Sequence, residues 1–272
     1  MRYPGGKSRA VKLIKDFIPE DIDRLVSPFF GGGSVELFYA SSGVEVKGYD
    51  LLKPLCWFWT AVVQDRHALA ITSQSLRVPH ADFPDGKLGL TRESFNDLKK
   101  KLKSAEEYSI QNAAAFYALN RSSFSGATLS GGYSKRAAWE RFTDSSIDRL
   151  QNAELGNLTV ENKSFEDSIP ENADAFLYCD PPYLQEVGNN LYGNRGDLHD
   201  NFDHKKLREL LVSRGNWVLS YNDCPEIREM YRGHEIIEAK WSYGMKNAHG
   251  KKVMPKSSEI IILGTRHTEG SS

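Results

Sequence analysis

Four consecutive residues, Asp180-Pro181-Pro182-Tyr183, follow the apolar run Ala175–Tyr178, which predicts a buried strand. Side chains at the carboxyl end of a parallel strand point into the crevice where ligands bind. The prolines lack N–H donors, so the Pro181 carbonyl and the Asp180 carboxylate form a pair of acceptors. Such a pair suits an exocyclic amine with two hydrogens, and Tyr183 offers a ring for a flat base to stack on. A plain Asp-Pro turn with a packed tyrosine is the structural alternative.

A glycine-rich turn is the second candidate site, between the predicted strand Arg24–Ser27 and a predicted helix through Val35 and Phe38. Its residues are Pro28, Phe29, Phe30, Gly31, Gly32, Gly33 and Ser34. The glycines let the backbone approach a ligand, and the helix N-terminus faces it. Asp50 ends the next predicted strand, where a carboxylate can accept hydrogen bonds from two ribose hydroxyls. Because Glu36 breaks the GxGxxG pattern, a nicotinamide dehydrogenase is disfavoured.

The N-terminal segment Tyr3-Pro4-Gly5-Gly6-Lys7 precedes the first predicted helix. Two glycines and a lysine could hold an anionic group, but the Walker spacing and the strand before it are missing. A P-loop is therefore excluded. Taken alone, the segment is better explained as a flexible N-terminus capped by Ser8.

Alternating strands and helices must position these three segments, which predicts an α/β fold with a mostly parallel sheet. Seven strands are predicted, at Arg24–Ser27, Val44–Tyr49, Leu158–Val160, Ala175–Tyr178, Trp217–Ser220, Ile236–Ala239 and Ile260–Leu263. The alternation stops between residues 63 and 151, where two helices flank polar and Ser/Gly-rich segments. We therefore expect a catalytic domain of residues 1–62 and 152–272, with residues 63–151 as an inserted, mainly helical subdomain.

The composition is that of an ordinary globular protein, with 272 residues, 40% of them hydrophobic, and a net charge of −1. No apolar run approaches the ~18 residues of a membrane span, and no signal peptide is expected. Three cysteines without CxxC spacing indicate neither a disulfide framework nor a zinc site, and favour a reducing cytosol. Local basic patches exist: residues 117–143 carry four basic residues against one acidic, and residues 232–256 carry six against two.

Taken together and in this order, the three segments resemble the Dam-type (D12 class) DNA adenine-N6 methyltransferases. The resemblance extends over essentially the whole chain and includes Phe116–Arg121 at the start of a DNA-reading insert. It implies a Rossmann-like catalytic domain that transfers a methyl group from S-adenosylmethionine to N6 of a flipped adenine in duplex DNA. S-adenosylhomocysteine is the implied product, and no metal is required.

The resemblance also implies roles for individual residues. The catalytic residues would be Asp180, Pro181, Pro182 and Tyr183. The cofactor would contact Tyr3, Lys7, Pro28, Phe29, Phe30, Gly31, Gly32, Gly33, Ser34, Asp50, Ser164, Phe165 and Asp180. DNA would contact Asn120, Arg121, Ser122, Lys135, Arg136, Lys251 and Lys252. One departure is Ser27, because family members usually carry an acidic residue before the Pro-Phe of the glycine turn.

Other readings of the same residues stay open at this point. A cytosine-N4, RNA-adenine or protein-glutamine methyltransferase would need the same amine geometry, and a catalytically silent DNA-binding relative would keep the fold. For the insert, we expect a hairpin or loop of about residues 121–140 to enter the major groove. Arg121 and Arg136 are the residues expected to contact base edges there. The resemblance further implies a cytoplasmic monomer in a prokaryotic cell or a phage-infected host. It also allows a cognate restriction endonuclease as a functional partner.

Overall fold

The computed structural model describes residue 1 and residues 6–184, 202–239 and 259–264. Within these ranges, seven strands form one sheet and two short strands form a separate pair. The strands are β1 (Arg24–Ser27), β2 (Glu45–Asp50), β3 (Val78–Pro79), β4 (Leu88–Gly89), β5 (Leu158–Asn162), β6 (Phe176–Cys179), β7 (Trp217–Asn222), β8 (Glu235–Ala239) and β9 (Glu259–Leu263).

The described ranges contain ten α-helices, and none of these is long and apolar enough to cross a membrane. They are α1 (Val11–Ile14), α2 (Ser34–Ser41), α3 (Lys53–Ser75), α4 (Arg92–Lys103), α5 (Ile110–Ser122), α6 (Lys135–Glu140), α7 (Asp144–Gln151), α8 (Phe165–Glu171), α9 (His204–Val212) and α10 (Pro225–Met230).

The large sheet has the order β5-β2-β1-β6-β7-β9-β8, and its first five strands are parallel. β9 is antiparallel to both β7 and β8. The predicted seven-stranded, mostly parallel sheet is therefore confirmed. Successive strands run outward from β1 to β2 and β5, and the chain then returns to add β6 on the other side of β1. This reversal is a topological switch point, the usual ligand site of an open α/β sheet.

Alternating side chains divide the buried strands between two cores. Leu25 and Tyr178 belong to the core under α1, α2 and α3, which continues into the insert. Val26 and Leu177, one position along each strand, belong to the core under α8, α9 and α10. Because both faces of the sheet are covered, β6 is buried along its whole length. The buried strand β6 therefore holds the start of the following segment, which begins at Asp180, in a fixed position.

The predicted start of the insert lies inside a helix. The boundary expected after residue 62 falls within α3, whose only break is the non-helical Asp65 (φ −152°, ψ 67°). The Asp65 carboxylate accepts the Ala68 N–H at 2.9 Å and so caps the second half of the helix. α3 packs along α5 and α7, and α4 packs on α5. The polar loop predicted from Val78 to Gly89 contains the β3–β4 pair.

Candidate active site

Asp180 directly follows β6, and its carboxylate faces the ammonium group of Lys7. The Lys7 Nζ atom lies 2.8 Å from Oδ1 and 2.9 Å from Oδ2 of Asp180. The Lys7 side chain is 3% exposed and that of Asp180 is 21% exposed. Burial raises the pKa of Asp180, and the charge of Lys7 opposes this rise. The sequence predicts Lys7 as a cofactor residue, whereas the structure pairs it with Asp180, which is predicted to be catalytic.

Tyr183 lies beside the same ion pair. Its ring centroid is 5.0 Å from Lys7 Nζ, and the ring stacks on Tyr221 of β7 with 5.9 Å between centroids. The side-chain amide of Asn222 donates to the Leu184 carbonyl at 2.7 Å, which ties the segment after Tyr183 to the end of β7. Tyr221 and Asn222 are not among the predicted site residues. The signal that could have found them is their position at the end of the strand next to β6.

The glycine turn is fixed by backbone contacts on both sides. The Phe30 N–H donates to the Tyr49 carbonyl and the Gly33 N–H to the Phe30 carbonyl, each at 2.9 Å. The indole N–H of Trp59 donates to the Gly31 carbonyl at 3.1 Å. Gly33 has a φ of +65°, and a Cβ atom there would lie 2.8 Å from the Phe30 ring. Glycine is therefore required at this position. The remaining predicted residues of the turn lie between β1 and the first turn of α2: Pro28, Gly32 and Ser34.

Asp50, at the end of β2, binds the glycine turn directly. Its Oδ2 atom accepts the Gly31 N–H at 3.0 Å, and its Oδ1 atom accepts the Leu52 N–H at 2.9 Å. Burial raises the pKa of Asp50, and these N–H groups act against it. Each carboxylate oxygen keeps a second acceptor position. Asp50 can therefore hold the turn and accept a ligand hydroxyl at the same time.

Three phenylalanines form an aromatic cluster next to the turn. The Phe29 ring lies 5.6 Å from both Phe165 and Phe202, and the latter two rings are 5.1 Å apart. Phe165 is buried, while Phe29 and Phe202 are half-buried. The predicted residue Ser164 caps α8, since its hydroxyl accepts the Asp167 N–H at 3.2 Å. The structure thus brings Phe29 and Phe165 together and adds Phe202 as a third apolar surface for a flat ring.

At the end of α5, the three side chains predicted to contact DNA make their contacts with other residues of the insert. Asn120 is 1% exposed and its amide donates to the Gly126 carbonyl at 3.0 Å. The Arg121 guanidinium donates through Nε to the Arg141 carbonyl at 2.8 Å, and Ser122 is fully buried. Asn120 and Ser122 are buried and Arg121 is partly exposed, so a DNA contact by these three residues stays a prediction. As they stand, they support the segment that follows.

Residues 123–134, which we name the recognition loop, follow α5. The loop is closed by a single antiparallel bridge between Ser123 and Tyr133 and leads into α6, so the segment expected as a hairpin or loop is a loop followed by a helix. Ser125 and Thr128 have left-handed φ values of +53° and +49°. Such strain persists only where surrounding contacts impose it. The loop presents Phe124, which is 63% exposed, to solvent.

Lys135 and Arg136 lie on the surface at the start of α6. The Lys135 side chain is 53% exposed and pairs with Asp82 at 2.9 Å; that of Arg136 is 81% exposed and pairs with Glu140 at 2.7 Å. Both border a cavity of about 490 Å³. Its other lining residues are Asp82, Phe83, Pro84 and Trp139. Tyr3, Lys251 and Lys252 lie outside the described residues, so their contacts stay predictions.

Several known proteins are similar to this chain. A DNA adenine methylase of Vibrio cholerae serotype O1 is 25% identical over 289 aligned positions, which cover 98% of this chain and 96% of the relative. A Type II methyltransferase, M.CviBI, of Paramecium bursaria Chlorella virus NC1A is 24% identical, with 92% and 93% covered. A DNA N-6-adenine-methyltransferase of Escherichia phage P1 is 27% identical over 85% of this chain, but only 30% of that relative is matched.

The sequence profile of one family matches almost the entire chain. It spans residues 3–245, and so includes the N-terminal segment, the glycine turn, the insert and the tetrapeptide after β6. The match confirms the resemblance on which the predicted roles depend. By this match, the chain belongs to the D12 class N6 adenine-specific DNA methyltransferases.

Proposed function

We propose that the protein transfers the methyl group of S-adenosylmethionine to N6 of an adenine flipped out of duplex DNA, with S-adenosylhomocysteine as the product. Adenine methylation of DNA is the activity of the family and of its named relatives. The single observation that carries the proposal is the Lys7–Asp180 pair at the switch point. It holds a carboxylate, with the Pro181 carbonyl next to it, beside the glycine turn.

The acceptor chemistry follows from these two oxygens. The N6 lone pair of adenine is delocalised into the ring, so N6 is a poor nucleophile. If Asp180 and the Pro181 carbonyl each accept one N6 hydrogen, the nitrogen can pyramidalise and direct its lone pair outward. The Asp180 carboxylate then stabilises the cationic amine that forms on transfer. The proton leaves after transfer, when the nitrogen has become acidic, so no prior deprotonation is required.

The residues around the glycine turn suit the chemical groups of the proposed methyl donor. The Phe29, Phe165 and Phe202 cluster offers apolar ring faces to a purine. Asp50 can accept ribose hydroxyl hydrogen bonds at the end of β2. The donor supplies an electrophilic methyl group on a sulfonium centre. The protein's part is to hold this group in line with the acceptor amine, at about 3–3.5 Å.

The exocyclic amine of adenine is not accessible inside a duplex, so the base must leave the helix to reach Asp180. Tyr183 is the ring assigned to stack on that base, in the position next to Lys7 and Tyr221. Tyr221 supports the Tyr183 ring from β7, and Asn222 restrains the following residue. A rigid platform of this kind lowers the entropic cost of holding the flipped base.

DNA contact is assigned to the insert of residues 63–151, and the donor site to residues 1–62 and 152–272. Lys135 and Arg136 are exposed cations, and the neighbouring recognition loop presents Phe124. Cations provide contacts to phosphates or to guanine edges, and an exposed aromatic ring can stack on a base. Asn120 and Arg121 support this surface from behind by fixing the recognition loop and the segment near α6.

Single-molecule sequencing of DNA from a methylase-free host tests the proposal. Expression of the protein should produce N6-methyladenine at one short sequence motif throughout the genome. Expression of the Asp180→Ala variant is the matched control and should produce none. N4-methylcytosine in place of N6-methyladenine would reject the acceptor assignment, and unmodified DNA with soluble, folded protein would reject the activity.

A further inference from the structure

Glu36 is a buried carboxyl group in the first turn of α2, directly behind the glycine turn. The residue is 3% exposed, and the fully buried Ser27 donates its hydroxyl to Glu36 Oε1 at 2.6 Å. Ser27 ends β1, the strand adjacent to β6. The negative charge of Asp180 acts on Glu36 and disfavours its ionised form. Glu36 therefore lies at the switch point, on the same side as the acceptor site.

Glu36 has no cationic partner among the residues that the structure describes. Lys7, the buried cation of this region, pairs with Asp180 at 2.8 Å and lies 3.9 Å from Glu259. No Lys, Arg or His of residues 6–184, 202–239 or 259–264 forms an ion pair with Glu36. Burial raises the pKa of Glu36 to about 7, against the hydrogen bond from Ser27. Lys7 is thus engaged by Asp180 and Glu259, and Glu36 has no ion-pair partner among the described residues, which favours a cationic ligand there.

We propose that Glu36 binds the α-ammonium group of the methyl donor's methionine part. This inference rests on the proposed function, because it concerns the same donor. An ammonium group brings three N–H donors as well as a positive charge, whereas a sulfonium centre brings no donor. The Glu36 carboxyl group already accepts hydrogen bonds from Ser27 and from the backbone N–H groups of Val35 and Glu36, so an ammonium group would add the missing positive charge together with a further hydrogen bond. Ser27 acts as a positioning residue, since its hydroxyl fixes the orientation of the Glu36 carboxyl group.

Binding of an ammonium group requires the ionised form of Glu36. Donor binding should therefore release a proton below about pH 7 and should strengthen as the pH rises toward 8. The other charged or titratable groups of this region are Asp180, Lys7, Glu259 and Tyr178. They act on any ligand of the site, so a ligand without the ammonium group serves as the reference.

The experiment compares two ligands by calorimetric titration of the full-length protein. S-adenosylhomocysteine carries the ammonium group, and 5′-methylthioadenosine has the same adenosyl part without the amino acid. We expect Glu36→Gln to weaken S-adenosylhomocysteine binding by about 10- to 100-fold, the range of a charge-assisted hydrogen bond. Binding of 5′-methylthioadenosine should change less than twofold. Glu93→Gln, an exposed acid in the first turn of α4, is the matched control and should change neither.

Ser27→Ala and the pH dependence give independent readouts if Glu36→Gln folds poorly. Ser27→Ala should weaken S-adenosylhomocysteine alone, by less than tenfold, and the wild-type affinity for that ligand alone should rise between pH 6 and pH 8. Unchanged S-adenosylhomocysteine affinity in Glu36→Gln, or an equal loss for both ligands, would overturn the role of Glu36. If the wild-type protein binds neither ligand, the proposed function itself fails and this inference fails with it.

Discussion

Lys7 and Asp180 are 173 positions apart in the chain, yet their ion pair defines the proposed acceptor site. Burial alone would favour a protonated Asp180, and a protonated carboxyl group is a poorer acceptor for an amine hydrogen. The Lys7 ammonium counters that tendency and also fixes the carboxylate in space. We therefore assign Lys7 a positioning role through Asp180, in addition to any contact with the methyl donor.

Replacement of Lys7 by methionine tests this role through the pH dependence of methylation. Without the ammonium group the pKa of Asp180 should rise further, so the rate should fall at pH 7 by about 10- to 100-fold. The loss should shrink as the pH is raised, because more of Asp180 becomes ionised. Single-turnover rates between pH 6 and pH 9 measure this, with Lys12→Met on the exposed face of α1 as control. An equal loss at every pH would contradict the role.

The raised pKa of Glu36 predicts a contribution to the free energy of unfolding that decreases as the pH rises. Its pKa rises from an ordinary value of 4.5 to about 7 on folding, so the folded protein holds a proton that the unfolded chain releases. This stabilisation is complete below pH 4.5 and is lost as the pH rises through 7. At about 1.4 kcal/mol per pH unit, it amounts to about 3 kcal/mol. Urea unfolding of wild type and Glu36→Gln should show this difference; parallel pH curves would contradict it.

At the scale of elements, the glycine turn depends on the side chains packed beneath it. Gly33 and Gly86 both have positive φ values, +65° and +71°. A Cβ atom at Gly33 would lie 2.8 Å from the Phe30 ring and 3.4 Å from Trp59, whereas one at Gly86 meets nothing within 4 Å. An alanine at either position would therefore have the same unfavourable backbone conformation, but only the one at position 33 would also clash with a neighbouring side chain.

Alanine substitutions at these two glycines separate the two effects. Gly86→Ala should cost about 1–2 kcal/mol of unfolding free energy, the penalty for a left-handed conformation. Gly33→Ala should cost a further 1–3 kcal/mol or so, because Phe30 must move. Donor binding should weaken in Gly33→Ala alone. Urea titrations and ligand calorimetry measure both, and equal losses in the two variants would show that the packing under the turn is not tight.

The strands and the glycine turn could be predicted from sequence because their signals are local. Apolar runs such as Ala175–Tyr178 and the glycines after Ser27 determine an element and its end within a few residues. The pairing of Lys7 with Asp180 could not be predicted, since it joins residues 173 positions apart through the tertiary fold. Asn120 is similar: its position next to Arg121 suggests a surface role, but tertiary packing buries it.

At the scale of the molecule, a net charge of −1 leaves DNA contact to local patches. Two exposed cations of the insert, Lys135 and Arg136, lie at the start of α6, beside the recognition loop. Lys206, on α9 of the catalytic domain, offers a matched comparison, because its side chain is 47% exposed and pairs with Glu209. Lys206 is close to Lys135 in exposure and is likewise paired with a carboxylate, so these two positions differ mainly in their place in the fold.

Alanine variants of Lys135 and Arg136 test the assigned DNA surface. If either side chain contacts phosphate, binding to all duplexes should weaken alike, and the salt slope should become shallower by about one unit. If Arg136 reads a guanine edge, its loss should cost about 1–3 kcal/mol on the cognate site and relax selectivity at one base pair. Binding to cognate and singly altered duplexes at several salt concentrations distinguishes the cases. Losses no larger than that of Lys206→Ala would exclude this surface.

Methyl transfer by the purified protein tests the central claim most directly. Duplex DNA incubated with the protein and S-adenosylmethionine is digested to nucleosides and analysed by mass spectrometry. We predict N6-methyladenine with wild type and none with Asp180→Ala, while S-adenosylhomocysteine affinity stays within about tenfold, or 1.4 kcal/mol. N6-methyladenine formed by Asp180→Ala at more than a few per cent of the wild-type rate would contradict the assignment of Asp180 as the acceptor of the amine hydrogen.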